Sequence, residues 1–419
     1  MRFKMECYAR KLSKHLEYYK ENDEMSLLEK VQNKWKDIDI TNSDALFKDT
    51  IDKVISKTAA NIERFNNQFP YTGKGDKYIL TDNTTWVSGY WTGWLWMIYN
   101  QTQDPKFKEA AEKHYEGYNH RFNTLAIHCH DVGVIYDMAA VRGYTVTGED
   151  KWRNIGIRAA AFLSTRFEEK GQYLQAWGMP YSKEPEHNRT IIDSLCCIPL
   201  WFWAAEVLND EYYKEIASLQ ADTIMKHLVR PDNSSGHTFF FDPETKEPLR
   251  IKTEQGSSNE STWSRGQGWG IQGFPVCYAY TGDKKYLDTA VKMLEWFVDE
   301  LGDDIIPPWD FMKKEEEKDT SALTLAVNGM LRIAHFPDVS EEVKQACILM
   351  AKKAMTKLIV SYGTFDEEEV WGLIREGVYG KPFGNGINEF MIWGDYYFVE
   401  NLMILAGKDY LEMEIYNKR

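Results

Sequence analysis

Three stretches of the chain place polar residues where a purely structural helix would carry apolar ones. The first is His128–Cys129–His130–Asp131–Val132–Gly133. Asp131 falls where the periodicity predicts a helix start, so its carboxylate caps the helix, does chemistry, or does both. The second is Asn188–Arg189–Thr190–Ile191–Ile192–Asp193–Ser194, which opens the run LCCIPLWFWAAE. Thr190 with Asp193 three residues on has the form of a capping box. The run behind them is almost wholly apolar, which marks an inner helix whose first turn opens on a mouth. A carboxylate there, beside a second one, has its pKa raised toward the range of a general acid. The third stretch is Trp263–Ser264–Arg265–Gly266–Gln267–Gly268–Trp269. An Arg between two Trp at a helix start suits a bound carboxylate, with a planar fork for the anion and aromatic faces for a ring. The plain alternative is Trp packing with Arg265 in a surface ion pair. The glycines permit close helix approach. They do not form a phosphate loop, because no strand precedes them and no Lys–Ser/Thr follows.

The elements that must position these residues are helices, arranged in pairs. Helical spacing predicts a helix over 44–66, after a cap at Ser43, with Leu46, Ile51, Val54, Ile55 and Ile62 on one face. Further helices are predicted at 87–102, 105–121, 131–146, 149–167, 191–208, 210–229, 267–281, 283–301, 319–335, 340–361 and 391–405. Short turns of one kind join the pairs: Thr102–Gln103–Asp104–Pro105, Thr147–Gly148–Glu149–Asp150, Leu208–Asn209–Asp210 and Thr281–Gly282–Asp283. In each, the Asp is expected to cap the next helix and the Gly or Asn to close the last. Six antiparallel pairs can close into a ring, six helices inside and six outside; an open solenoid would show more even repeats. The fold class expected is therefore all-α, an (α/α)6 barrel of six helical hairpins over 44–419. Residues 1–43 read as an N-terminal helical extension, with Leu12, Tyr19, Leu27, Leu28, Val31 and Trp35 on its apolar face.

Two loops interrupt the rhythm. Residues 230–264 carry His, Gln and Trp and a short hairpin around FFFDPETKEPLRI, and a loop of that length in a compact fold is expected to be functional. Residues 303–318 end in KKEEEK, which reads as a solvated run.

Composition narrows the function classes. The 64 acids against 50 bases leave a net charge of -14, which repels a polyanion and argues against nucleic acid. No stretch approaches the roughly twenty apolar residues of a membrane span. The 15 Trp suit sugar rings, although aromatic packing accounts for most of them. Cysteines at 7, 129, 196, 197, 277 and 347 show neither a CxxC pair nor the Cys/His spacing of a zinc site, so no zinc site is expected. The N-terminus lacks a signal-type apolar segment, so a reducing, cytoplasmic setting is expected.

With these residues stand the motifs TDNTTWVSGYWTGWLWMIY at 81–99, HDVGVIY at 130–136, QAWG at 175–178 and RTIIDSLCCIPLWFWA at 189–204. HTFFFDPETKEPLR follows at 237–250, EQG at 254–256, STWSRGQGWGIQGF at 261–274, PPWDF and KDTSA within 307–322, and IWGDYYFVENLM at 392–403. In this order the chain resembles the unsaturated glucuronyl hydrolases, glycoside hydrolase family 88, over about 45–406. The unsaturated rhamnogalacturonyl hydrolases are the nearest alternative, but WSRGQGW looks more like the glucuronyl group. The resemblance implies the same (α/α)6 barrel. It implies a substrate that is a short oligosaccharide, of glycosaminoglycan type, ending in a 4,5-unsaturated uronate left by polysaccharide lyases. It also implies a reaction by hydration of the vinyl ether, with no metal or cofactor. Carried over by motif, Asp193 is the general acid and base and Asp131 its carboxylate partner. His237, Gln255, Trp263, Arg265 and Trp269 match residues around the uronate, Trp86 a stacking Trp, and Trp177 and His130 further binding positions. Arg265 is expected to read the uronate carboxylate.

One segment departs from the family pattern. Members acting on sulfated glycosaminoglycans tend to carry Ser or His before the last helix, and here Val378 and Gly380 stand there, with Lys381 left as the candidate anion ligand. Two other readings compete. A sugar epimerase or ordinary inverting glycosidase on the same barrel needs a His pair or two carboxyls spanning a glycosidic bond, and His128 and His130 are too close in sequence to face each other across a ligand. A non-enzymatic carbohydrate-binding protein is suggested by the Trp content alone.

Overall fold

The computed structural model describes residues 25–180 and 182–408. Leu12, Tyr19 and Cys7 therefore lie outside the described residues, as does most of the N-terminal extension. Its described part, from residue 25, holds the helix Leu27–Asn33, which has a full capping box between Ser26 and Glu29. Leu28 N–H donates to Glu342 at 2.7 Å and Lys353 donates to Val31 O at 3.0 Å, so this helix docks onto the barrel wall.

All twelve predicted helices are present and alternate between two layers. The inner layer runs Ser88–Thr102, Val132–Thr147, Pro199–Leu208, Ser264–Thr281, Thr320–His335 and Ile392–Leu405, each packed on the next and the last back on the first. The outer layer is Ser43–Phe65, the pair Pro105–Glu112 and Tyr115–Arg121, Asp150–Ser164, Glu211–Leu228, Lys284–Glu300 and Glu341–Tyr362. Sequence character separates the layers. Ser264–Thr281 is buried from Ser264 to Tyr280, whereas Lys284–Glu300 buries only Tyr286, Leu287, Ala290, Met293, Leu294, Phe297 and Val298, one stripe at helical spacing. Glycine sets the approach of two inner helices, since a Cβ at Gly133 would run into the backbone of Cys197.

Asp104, Asp210 and Asp283 cap as expected, and Gly148, Asn209 and Gly282 close the preceding helices in the left-handed conformation. Two cap expectations fail. Asn42 rather than Ser43 precedes the first helix, and it makes no side-chain cap bond. Glu149 rather than Asp150 stands at that N-cap, and its carboxylate goes to Lys108 at 2.7 Å and Lys151 at 3.1 Å instead. The helix expected over 191–208 also starts later. Arg189–Ile191 is a strand, Ile192–Cys196 a 3-10 turn, and the α-helix begins at Pro199, where a missing N–H costs nothing.

The predicted hairpin exists as Thr238–Phe241 against Pro248–Lys252, with Phe239 opposite Ile251. Arg189–Ile191 joins its other edge to make a three-stranded sheet. Asp193 follows the edge strand of this sheet by two residues and shares a cleft with Gln255. The KKEEEK run is not simply solvated: Glu317 pairs with Lys381, and Glu316 accepts from Trp309 Nε1 at 3.1 Å.

Candidate active site

One cleft gathers the residues singled out by sequence. It is lined by Trp86, His130, Asp131, Trp177, Asp193, Gln255, Arg265 and Trp269, with Ile191, Cys196 and Tyr379. Four of these eleven lining residues are Trp or Tyr, and they stand beside the two carboxylates.

Neither carboxylate is a structural cap. Asp131 stands at the N-cap of Val132–Tyr136 without a side-chain cap bond. It accepts instead from the Cys129 thiol at 2.6 Å and lies 3.6 Å from His130 Nε2. The capping box proposed for Thr190 and Asp193 is absent as well, because Thr190 Oγ1 accepts from Gln220 Nε2 at 2.8 Å. Asp193 sits in the 3-10 turn, half-buried. Its Oδ1 is closed off from solvent and has no hydrogen-bond partner among the described residues. Burial pushes its pKa from 3.8 up to about 7, with the Arg265 charge opposing and the Asp131 charge reinforcing the rise. A carboxyl in that state is a proton donor near neutral pH, and its conjugate base is a proton acceptor.

Two more polar atoms of the cleft residues lack partners among the described residues: His130 Nε2 and Trp269 Nε1. Buried polar groups normally find partners, and leaving one unmade costs about 1–3 kcal/mol. Three such atoms in one cleft suit a polar ligand.

Arg265 lies in the cleft wall but is neither a surface pair nor an unengaged anion fork. It is fully buried and pairs with Asp319 at 3.0 Å. Nη1 also donates to Val378 O, and Nη2 donates to Tyr379 O at 2.6 Å. Its aromatic faces are Trp263, at 4.4 Å, and Trp393, at 5.1 Å, rather than Trp269. The guanidinium thus fixes the strand Gly377–Gly380, which carries Tyr379 to the cleft. Gln255 Nε2 donates to the same Tyr379 carbonyl at 3.0 Å.

His237, Trp263 and Lys381 do not line the cleft. His237 lies behind it, packed on Trp263 at 4.7 Å. Its Nδ1 accepts from the Glu254 and Gln255 N–H groups at 3.2 and 3.4 Å. Burial and the charges of Arg265 and Arg189 hold its pKa down to about 3, so the ring is neutral. Lys381 is engaged by Glu317 and lies 3.9 Å from Glu316, so its charge is spent within the protein.

Trp177 is held in the left-handed region, φ 51°. Arg166 Nη2 pins that turn by donating to Trp177 O at 2.8 Å and Gly178 O at 2.9 Å, and Arg189 stacks on the indole at 4.5 Å. A non-glycine residue kept at positive φ beside a cleft marks a position where side-chain placement outweighs backbone comfort.

The profile of Glycosyl Hydrolase Family 88 matches residues 61–276. The unsaturated glucuronyl hydrolase of Bacillus sp. (strain GL1) is 35% identical over 365 residues, 86% of this chain and 97% of that protein. The chain belongs to glycoside hydrolase family 88. It is a glycoside hydrolase. The unsaturated chondroitin disaccharide hydrolase of Streptococcus agalactiae serotype III is also 35% identical, over 88% of this chain and 92% of that protein. The crystal structure of the Bacillus sp. GL1 enzyme superposes with a TM-score of 0.83 over 86% of this chain and 96% of that one, so the all-α barrel is the family's fold. A variant of the Streptococcus agalactiae enzyme, solved in complex with dGlcA-GalNAc6S, is 32% identical with a TM-score of 0.76, covering 87% of this chain and 92% of that one.

Sequence reading missed Ile191, Cys196 and Tyr379 in the lining. Ile191 and Cys196 flank Asp193 in the motif already quoted, so adjacency was the available signal. Tyr379 had none, since it reaches the cleft through hydrogen bonds to residues more than a hundred positions away. The search for spaced zinc ligands also passed over three consecutive donors. Ligand atoms of Cys129, His130 and Asp131 all lie within 4.8 Å of one another.

Proposed function

We propose that this enzyme removes the 4,5-unsaturated uronate from the non-reducing end of short lyase-generated oligosaccharides by hydrating the C4=C5 vinyl ether. The observation that carries the reading is Asp193: a carboxyl raised to about 7 by burial, with an unpartnered oxygen, in a cleft it shares with a second carboxylate. Protonated Asp193 gives its proton to C4, leaving an oxocarbenium at C5 and the ring oxygen. Asp131 steadies that positive charge. Asp193, now a carboxylate, takes a proton from the water that attacks C5. The resulting hemiketal opens by breaking the bond between C5 and the ring oxygen. C1 becomes a hemiacetal, which collapses and releases the next sugar. The relatives named for unsaturated glucuronides and for unsaturated chondroitin disaccharides support the substrate class.

Trp86, Trp177, Trp269 and Tyr379 supply faces for the sugar ring, Trp269 Nε1 donates to its oxygens, and His130 Nε2 donates or accepts according to its tautomer. Gln255, His237, Trp263 and Arg265 act by holding this lining in place. Lys381, neutralised by Glu317, is not offered to a sulfate. Among the described residues no helix is long and apolar enough to cross a membrane. The five described cysteines are free, which suits a reducing cytoplasm. We take residues 44–419 as the catalytic unit.

The test is the ultraviolet absorbance of the unsaturated uronate, followed on a panel of unsaturated glucuronyl and galacturonyl disaccharides. We expect loss of absorbance with release of the second sugar. An enzyme that cleaves the galacturonyl–rhamnose member alone would favour the rhamnogalacturonyl reading, and no change on any member would overturn the proposal.

A further inference from the structure

We propose that Cys129, His130 and Asp131 form a binding site for a thiophilic divalent cation of the Zn2+ class, and that an ion held there inhibits the enzyme. The inhibitory half rests on the reading of Asp131 as the carboxylate partner; the binding half does not.

The three donors are consecutive in sequence, and a tight turn brings them together. Val132 N–H donates to Cys129 O at 3.4 Å and Gly133 N–H to His130 O at 3.0 Å, so the side chains of 129–131 converge. Cys129 Sγ lies 2.6 Å from Asp131 Oδ2 and 3.7 Å from His130 Nδ1, while His130 Nε2 lies 3.6 Å from Asp131 Oδ1. A tetrahedral ion with arms of about 2.3 Å to sulfur and about 2.0 Å to nitrogen or oxygen spaces those atoms by roughly 3.5 Å. Those two gaps end on opposite nitrogens of the ring, and one ion takes only one of them; with a single atom from each residue the donors lie within 4.8 Å of one another, so Nε2 and sulfur close on the ion by up to roughly 1 Å. Sulfur and oxygen are closer because the thiol proton bridges them. Binding releases that proton, and the two atoms part by roughly 1 Å.

A second observation points to a ligand here. His130 is fully buried, and its Nε2 has no hydrogen-bond partner among the described residues. An ion or a substrate oxygen would satisfy it. Charge also balances, since thiolate and carboxylate together offset a divalent ion and the imidazole stays neutral. His130 and Asp131 line the cleft, so a water or substrate atom can take the fourth position, as in zinc sites with three protein ligands. The sulfur selects Zn2+ or Cd2+ over Mg2+ and Ca2+. Arg166 and Arg189 lie close enough to bear on His130 and oppose a cation, so affinity below that of a structural zinc site is expected. An ion in this place would occupy Asp131 and set positive charge beside Asp193.

The experiment titrates the EDTA-treated full-length enzyme with Cd2+ and follows the ultraviolet charge-transfer band of a cadmium–thiolate bond. Zn2+ inhibition of hydrolysis is measured in parallel, with Mg2+ as control. We expect one cadmium per chain, a band lost in Cys129→Ser and a Kd at least ten-fold weaker in Asp131→Asn. We also expect Zn2+ inhibition reversed by EDTA and at least ten-fold less sensitive in Cys129→Ser. No band in the wild type, or an undiminished band in Cys129→Ser, would overturn the site. A band without inhibition would overturn the inhibitory half alone, and the absorbance readout needs no substrate, so a failed substrate assignment is told apart from a failed site. Should Cys129→Ser not fold, as judged by its melting curve without metal, protection of Cys129 from alkylation by Zn2+ in the wild type decides: protection supports the site and its absence overturns it.

Discussion

Replacing Asp193 with Asn separates what this carboxyl does for the reaction from what it costs the fold. Its pKa stands at about 7 in the native protein against 3.8 for an ordinary Asp, chiefly through burial. The folded state therefore holds the proton more tightly than the unfolded chain does. Stability is undiminished by this group below about pH 4, falls as pH rises from there to about 7, and is flat above. The gap between 3.8 and about 7 corresponds to about 4 kcal/mol at about 1.4 kcal/mol per pH unit. Asp193 is half-buried, so solvent screening makes that figure a ceiling. For 419 residues at roughly 2.1 cal/mol/K each, the unfolding entropy is roughly 0.9 kcal/mol/K, and the ceiling translates into roughly 5 °C of melting temperature.

Asn keeps the shape and has no charged form. We predict that Asp193→Asn melts with the wild type near pH 4 and up to roughly 5 °C above it at pH 8, while kcat falls by about 10²–10⁴-fold. Asp395 is also raised to about 7 by burial and contributes its own alkaline loss, but it is present in both proteins and cancels in the difference. The assay is a set of paired melting curves across pH, with turnover of an unsaturated disaccharide measured at the wild-type optimum. A melting difference that does not change with pH would refute the buried-acid argument. A variant retaining more than a tenth of wild-type kcat would remove Asp193 from the mechanism.

Two further predictions follow from the neighbours of that carboxyl. Wild-type kcat/KM should fall as pH rises through about 7, because the acid form of Asp193 is the active one; Asp131→Asn removes a charge that raises this pKa, so the falling limb should move to lower pH and kcat should drop at least ten-fold, and an unmoved limb in the pH–rate profile would uncouple the pair. Arg265→Lys keeps the charge and loses the fork that holds Val378 O and Tyr379 O, so kcat/KM should fall about ten- to a hundred-fold on an unsaturated disaccharide and equally on its uronate methyl ester, whereas a much smaller loss on the ester would return Arg265 to direct carboxylate binding.

The helices were legible because their period is local. The stripe of Lys284–Glu300 and the run Pro199–Leu208, apolar but for Glu206, already separate outer from inner layers. Asp131 and Asp193 were legible as polar residues at the mouths of such runs. Their bland explanation as caps needed the structure to remove it, because Gln220, which takes Thr190 Oγ1, lies thirty positions away. What the sequence hid about the charged residues has one physical origin. Arg265 read as an anion fork until Asp319 and the Gly377–Gly380 strand were seen to occupy it, and Lys381 read as an anion ligand until Glu317 was seen beside it. In each case the sequence shows one charged residue and hides its partner in a distant loop. Composition cannot reveal such pairings, because burial leaves a charge in place only when a partner arrives with it.

His237 shows how a residue outside the cleft can belong to its working parts. Its carbonyl accepts the Ile192 N–H at 2.9 Å, one residue before Asp193. Its Nδ1 accepts the N–H groups of Glu254 and Gln255, and Gln255 in turn holds the Tyr379 carbonyl that Arg265 also holds. One side chain and its backbone thus tie the proposed acid to the 253–256 turn, and that turn to the Gly377–Gly380 strand. Only a neutral imidazole can accept at Nδ1, and burial beside Arg265 and Arg189 keeps it neutral across the physiological range. A barrel whose inner helices are apolar must bring its chemistry from the loops at their ends, and loops of this length do not hold a carboxyl to within a few tenths of an ångström by packing alone. The sheet built on Thr238–Phe241, with His237 at its end, supplies the rigidity that the helices cannot extend to their mouths.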